Sequence, residues 1–290
     1  MMLSQFEQQS IDTNGVSINL VKGGSGFPIL LLHGYPQTHV MWHKISPRLA
    51  EEFTVIATDL RGYGDSSKPS GEPDHQNYSK RVMAQDQREV MAKLGYEEFY
   101  LVGHDRGARV AHRLTLDYPD CVKKLAVLDI VPTATLYAKT DREFATAYYH
   151  WFFLIQPHPL PETLISHQSD YFLRHCLQSW SKDFSAFTED ALAEYLRCFR
   201  DPATLHATCE DYRAAATIDL LDDTSDSHKK IECPVLALWG AQGLLERKYD
   251  VLEAWRERAV NVQGKAIECG HFLAEEAPDE TYLGLRSFLS

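Results

Sequence analysis

The chain has 290 residues, enough for one large domain, or a core with a smaller insertion, around a substantial buried interior. Its 44% hydrophobic and 24% charged residues are those of an ordinary soluble globular protein, and no apolar run is long enough to cross a bilayer. A formal net charge of −12 argues against nucleic acid or an anionic membrane as the main partner.

The start, MMLSQFEQQSIDTNG, lacks the basic-then-apolar order of a secretory signal, which predicts an intracellular, cytoplasmic protein. The negative charge also repels small anions, so an anionic ligand would need a local positive site. The six cysteines, Cys121, Cys176, Cys198, Cys209, Cys233 and Cys269, are scattered without a C-x-x-C and read as free thiols. Thirteen histidines occur without H-E-x-x-H or His/Cys pairing, so neither a metal nor another cofactor is expected.

In chain order, short aliphatic runs recur at SINLV (17–21), PILLLHG (28–34), FTVIATD (53–59), FYLVGHD (99–105) and KLAVLDI (124–130). They resume at CPVLALWG (233–240) and GKAIE (264–268). Such near-continuous runs suit strands buried on both faces of a parallel sheet. Helical stretches lie between them, as in YSKRVMAQDQREVMAKLG (78–95), where Val82, Val90 and Leu94 are predicted to share a face and Gly95 to close the end. The alternation predicts an α/β fold with a mostly parallel central sheet flanked by helices. Between about Pro132 and Lys230 strand-like runs vanish and aromatic-rich segments such as EFATAYYHWFFLI (143–155) take over. This predicts a core of residues 1–131 and 231–290 with a helical cap of 132–230. SGEPDHQN (70–77) reads as a surface loop and DDTSDSHKK (222–230) as the hinge back into the core.

The stretch GHDRGARV (103–110) follows a strand and opens a helix, the setting of a nucleophile elbow, with Asp105 at its tip and Gly103 and Gly107 where a Cβ has no room. HGYP (33–36) follows an early strand, so the Tyr35 N–H can join the Arg106 N–H in an oxyanion hole. GHF (270–272) follows the last strand and places His271 at the same edge of the sheet. The competing reading is that Asp105 merely caps its helix.

With these three motifs in order, the chain resembles the α/β-hydrolase superfamily over essentially its whole length. In many members the triad acid follows the strand here written PVLALWG, but Gly243 stands where it would be expected. Asp129 ends KLAVLDI, the place used by the dehalogenase branch, so Asp129 is expected to orient His271, with Asp250 as the fallback.

An aspartate is already ionised near neutral pH and attacks saturated carbon bearing a leaving group, giving an alkyl ester that His271 then hydrolyses with water. This chemistry does not choose among haloalkane, haloacid and epoxide. Arg106 and Arg109, spaced to lie beside Asp105 on a helix start, can form a receptor for a small carboxylate. The alternative is that both only pair with cap or core carboxylates. The run DRGAR resembles the haloacetate dehalogenases and, within them, the fluoroacetate dehalogenases, which carry a His-Trp pair and a Tyr in corresponding cap segments. That resemblance assigns halide binding to His150, Trp151 and Tyr212. It implies dehalogenation of short 2-haloacids in a small slot bounded by the two arginines, with a homodimer the frequent assembly. Tyr148 and Tyr149 read as cap packing, or as the ring-activating tyrosines of an epoxide hydrolase, the rival enzyme. A ligand receptor without turnover is the non-enzymatic alternative.

Overall fold

A computed structural model describes residues 3–290. Its strands are β1 (Glu7–Asp12), β2 (Ser17–Gly24), β3 (Pro28–Leu32), β4 (Thr54–Thr58), β5 (Phe99–His104), β6 (Val122–Leu128), β7 (Val235–Gly240) and β8 (Val262–Ile267). They form one 8-stranded sheet in the order β1-β2-β4-β3-β5-β6-β7-β8. From β4 through β8 all neighbours are parallel, while β1 and β2 add an antiparallel edge. β3 and β4 are buried at every residue, which is why their sequences are almost wholly aliphatic.

The mostly parallel sheet expected from the sequence is therefore present, with one strand more than the aliphatic runs announced. β1, EQQSID, pairs with β2 from Glu7↔Lys22 to Asp12↔Ser17 and is largely exposed. A solvated edge strand has no face to bury, so it leaves no apolar pattern.

The helix Lys80–Lys93 starts at Ser79, whose hydroxyl accepts the Val82 N–H at 3.2 Å, and Gly95 follows its end with φ of 86°. Its buried face is Met83, Ala84, Gln87, Val90 and Met91, whereas Val82 and Leu94 are only half-buried, a correction to the expected face. Buried polar residues displaced the pattern: Gln87 Oε1 accepts the Thr58 hydroxyl at 2.8 Å, and Asp86 is forked by Arg61 at 2.8 and 2.7 Å.

Between β6 and β7 the chain builds helices, from Thr133–Ala138 to Ile218–Ser225. The stretch 222–230 is less free than a hinge. Its first residues end that helix, Arg81 reaches Asp222 at 2.5 Å and Asp226 at 2.7 Å, and Arg113 also holds Asp226. The 70–77 loop likewise touches the helical segment, through His75 Nδ1 and Glu210 Oε2 at 2.7 Å. No described helix is long and apolar enough to cross a membrane.

Candidate active site

The parallel strands β3, β5, β6, β7 and β8 all end on one edge, the usual crevice of an open α/β sheet. Asp105 leaves β5 and opens the helix Asp105–Asp117 with φ of 43°, a strained value for a residue with a Cβ. The turn is possible because its flanks are glycine. A Cβ on Gly103 would lie 2.5 Å from Ala108 Cα, and one on Gly107 would run into the backbone carbonyls of Leu32 and His33. The elbow is thus real, and Asp105 is no simple helix cap. Its Oδ2 accepts the Tyr35 N–H at 3.0 Å, and the Arg106 N–H, in the first turn, has no intrahelical acceptor. Burial would raise the Asp105 pKa, but the charges of His271, Arg106 and Arg109 outweigh it and hold the carboxyl below its ordinary range.

Asp129 leaves β6 with φ of 52°, and its carboxylate bridges two strand ends. Oδ1 accepts the Gly240 N–H at 2.9 Å, and Oδ2 lies 2.5 Å from His271 Nδ1. A carboxylate only accepts, so Nδ1 carries the proton and Nε2 is left as the basic nitrogen. Burial lowers the His271 pKa, yet the hydrogen bond and charge of Asp129, with the charge of Asp105, leave it raised. The loop is fixed from both sides: His271 N–H donates to the Trp180 carbonyl at 2.9 Å, and His104 Nε2 donates to the His271 carbonyl at 2.8 Å. His104 is neutral, pushed down to about 3 by burial and by the charge of His271. Asp250 is exposed and caps the helix Val251–Arg256 by accepting the Glu253 N–H, so the fallback acid is not in the site. Gly243 explains the discrepancy seen in the sequence. A Cβ on it would lie 3.9 Å from Asp129 Oδ1 and 3.2 Å from the Gly240 carbonyl oxygen, so the position expected to carry the acid in many members stands beside the Asp129 carboxylate.

The two arginines part company. Arg106 is wholly buried and forks onto Asp211 of the helix Pro202–Ala216, with Nε to Oδ2 at 3.0 Å and Nη2 to Oδ1 at 2.8 Å, while Nη1 has no partner. Arg109 Nη1 donates to the Val131 carbonyl at 3.2 Å and the Thr133 hydroxyl at 2.9 Å; its Nε is unpaired, and it meets no carboxylate in an ion pair among the described residues. Burial, then the like charge of Arg106, lowers the Arg109 pKa. The salt-bridge alternative therefore holds for Arg106 in part and not for Arg109.

A cavity of about 430 Å³ opens here, and its lining includes Asp105, Arg109, His150, Trp151, Trp180 and His271, with Tyr148 and Tyr149 also in its wall. Of the two arginines expected to bound the substrate slot, Arg109 is among the lining residues. Arg106, Tyr35 and Tyr212 are fully buried beside Asp105 and the lining residues. His150, Trp151 and Tyr212 converge: the Tyr212 ring is 5.8 Å from His150 and 6.0 Å from Trp151, both near perpendicular. The Tyr212 hydroxyl and His150 Nδ1 are buried without partners. Burial and the charge of Asp105 raise the Tyr212 pKa, so its hydroxyl stays a donor, and burial lowers the His150 pKa to about 3. Trp180, 4.3 Å from the His150 ring, was not singled out by the sequence, where a lone tryptophan ending a helix carries no motif.

One group among the described residues could hold a metal ion, His158, Glu162 and His206, and none of the three lines this cavity. Glu162 is already paired with Arg213 at 2.7 Å and with His206 Nδ1 at 3.1 Å, so an ion would have to compete with the guanidinium and replace the hydrogen bond to His206. All six cysteines are free.

The α/β hydrolase fold family matches residues 28–278. A fluoroacetate dehalogenase of Burkholderia sp is 48% identical over all of this chain and 95% of that protein. A soluble epoxide hydrolase of Corynebacterium sp. (strain C12) is 38% identical, covering 96% and 95% of the two chains. The solved structure of a candidate alpha/beta hydrolase from Nostoc sp PCC 7120 is 68% identical and superposes with a TM-score of 0.99 over 100% of this chain and 99% of that one. With the fold, the elbow and these matches together, the chain belongs to the alpha/beta hydrolase family.

Proposed function

We propose that this hydrolase cleaves the carbon–halogen bond of short 2-haloacids, converting fluoroacetate or chloroacetate and water into glycolate and halide. Asp105 attacks C2 in line with the departing halide, forming an ester with the Asp105 carboxyl. His271 Nε2 then takes a proton from water, which adds to the ester carbonyl carbon. The N–H groups of Tyr35 and Arg106 hold the oxyanion. Collapse expels glycolate, whose oxygen takes the proton from His271, and the Asp105 carboxyl, carrying the second water proton, loses it to solvent and returns as the carboxylate. Alkylation removes the Asp105 charge, one of the influences that keep the His271 pKa raised, so the imidazole becomes a freer base at the step that needs one.

The observation that carries this reading is Arg109, a buried guanidinium facing the same cavity as Asp105 and unpaired with any described carboxylate. A substrate carboxylate would supply the missing counter-ion and offset the penalty of burying it. Arg106 offers only Nη1 to that carboxylate. His150, Trp151 and Tyr212 would donate to the departing halide from the helical segment 132–230, acting as the cap over the core of 1–131 and 231–290. The 48% identical fluoroacetate dehalogenase supports the same substrate class.

Epoxide hydrolysis is the second reading, favoured by Tyr148 and Tyr149 in the cavity wall and by the 38% identical epoxide hydrolase. Halide release from fluoroacetate and chloroacetate, measured with an Asp105→Asn control, decides between them. Release that vanishes in the control supports dehalogenation. Diol formation from small epoxides, with no halide from either acid, would replace it.

A further inference from the structure

We infer that Asp211 is a positioning residue whose carboxylate sets the halide donor Tyr212 against the reacting carbon by locking both to Arg106, so that it governs preference for fluoride over chloride. This rests on the dehalogenation proposed above.

Asp211 is fully buried on the helix Pro202–Ala216, and its contacts all reach back into elements that precede this helical segment. Oδ2 takes Arg106 Nε at 3.0 Å and the Tyr63 hydroxyl at 2.6 Å. Oδ1 takes Arg106 Nη2 at 2.8 Å and forms an ion pair with Lys80. The Asp211 backbone carbonyl accepts the second Nη2 hydrogen at 2.9 Å. Every N–H on one edge of the Arg106 guanidinium is thereby engaged, which fixes the plane of the group.

The next residue along the helix is Tyr212. Its ring lies under that plane, with Arg106 Cζ 4.2 Å from the ring centroid. Consecutive helix residues point about 100° apart, so Asp211 and Tyr212 grip the guanidinium from its edge and its face at once. The phase of the helix, and with it the position of the unpaired Tyr212 hydroxyl, is set by a carboxylate that no reacting atom touches. Lys80 also lies 3.2 Å from Asp219, so Arg106, Lys80, Asp211 and Asp219 together are neutral. Asp211 thus supplies both a counter-charge and geometry at Arg106, and only the geometry distinguishes the two halides.

The readout follows from what fluoride and chloride share. Both acids present the same carboxylate and form the same Asp105 ester, so the ratio of their kcat/KM values reports what differs at the halogen, its binding and the cleavage of its bond to carbon. It cancels carboxylate affinity, where loss of the Asp211 charge and loss of orientation at Arg106 act in opposite directions. It also cancels the fraction of enzyme that is folded. Fluoride, the stronger hydrogen-bond acceptor and poorer leaving group, depends more on a well-placed donor.

The experiment measures that ratio in wild type, Asp211→Asn, Tyr212→Phe and the double variant, with Tyr63→Phe as a milder loosening that leaves the ion pairs in place. Asp211→Asn is expected to lower the fluoride-to-chloride ratio by about tenfold or more, the scale of one lost donor to a charged acceptor, and Tyr63→Phe to lower it less. In the Tyr212→Phe background Asp211→Asn should lower it no further, because it acts through that hydroxyl. A ratio within twofold of wild type in both Asp211→Asn and Tyr63→Phe would overturn the inference, and so would an undiminished effect in the Tyr212→Phe background. Those results leave dehalogenation standing, whereas a wild type that releases neither halide removes both proposals.

Discussion

Replacing Asp129 with asparagine should separate the two chemical steps. The Gly240 N–H can still hold the amide oxygen where Oδ1 sits at 2.9 Å, which turns the amide nitrogen toward His271 Nδ1, now 2.5 Å from a carboxylate oxygen. Nδ1 must then accept, so the proton moves to Nε2 and the nitrogen facing water is no longer a base. Halide should still leave once per chain, while ester hydrolysis slows by about 10²–10⁴-fold, the range typical of a lost general base. The pH dependence gives an independent sign. Asp129 raises the His271 pKa against burial, and the base works only when neutral, so ester hydrolysis is lost as pH falls through that pKa. Removing the Asp129 charge and its hydrogen bond takes away the influences that raise this pKa most, so the acidic limb should move to lower pH. Rapid quench across a pH series, with mass spectrometry of the Asp105 peptide, follows ester formation and decay. Steady turnover at the wild-type rate with an unmoved limb would refute the orienting role of Asp129.

Gly243 has φ of −82°, open to any residue, and a Cβ there lies 3.2 Å from the Gly240 carbonyl oxygen. With a shift of a few tenths of an ångström, Gly243→Asp added to Asp129→Asn should recover part of the lost ester hydrolysis in the same assay; no recovery would mean that the two positions do not deliver to one spot. Asp250→Asn, by contrast, should leave both phases at wild-type rates. Arg109→Lys keeps the charge but loses the planar fork, and should raise KM for chloroacetate roughly 10–100-fold with a smaller change in kcat, read from initial-rate chloride release; an unchanged KM would remove Arg109 from carboxylate binding. Gly107→Ala drives a Cβ into the Leu32 and His33 carbonyls and should destabilise by on the order of 1–3 kcal/mol, seen as a lowered Tm by calorimetry, with an unshifted Tm contradicting the tight elbow.

The parts of the site that were legible in the sequence are those where backbone geometry dictates residue type. Gly103, Asp105 and Gly107 are spaced by a turn that tolerates little else, and within KLAVLDI the buried strand stops at Leu128, so that the Asp129 carboxylate emerges at its end. Contacts between distant segments were not legible. Arg106 and Arg109 look equivalent in DRGAR, yet one is held by Asp211, 105 residues away, and the other lines the cavity without a carboxylate partner among the described residues. Trp180 enters the wall because its helix ends beside His271, which no local pattern announces. β1 escaped notice because an exposed edge leaves polar residues, and the Lys80–Lys93 helix was rotated in expectation because Asp86 and Gln87 are buried by pairing rather than by apolarity.

The covalent role of Asp105 is tested most directly by trapping its ester. His271→Gln enzyme is mixed with excess fluoroacetate and quenched, fluoride is counted per chain, and the Asp105 peptide is weighed by mass spectrometry. The expected result is one equivalent of fluoride, then a stall, with Asp105 carrying a carboxymethyl ester that wild type does not accumulate. Sustained fluoride release, or a single release with Asp105 unmodified, would contradict an aspartyl-ester mechanism.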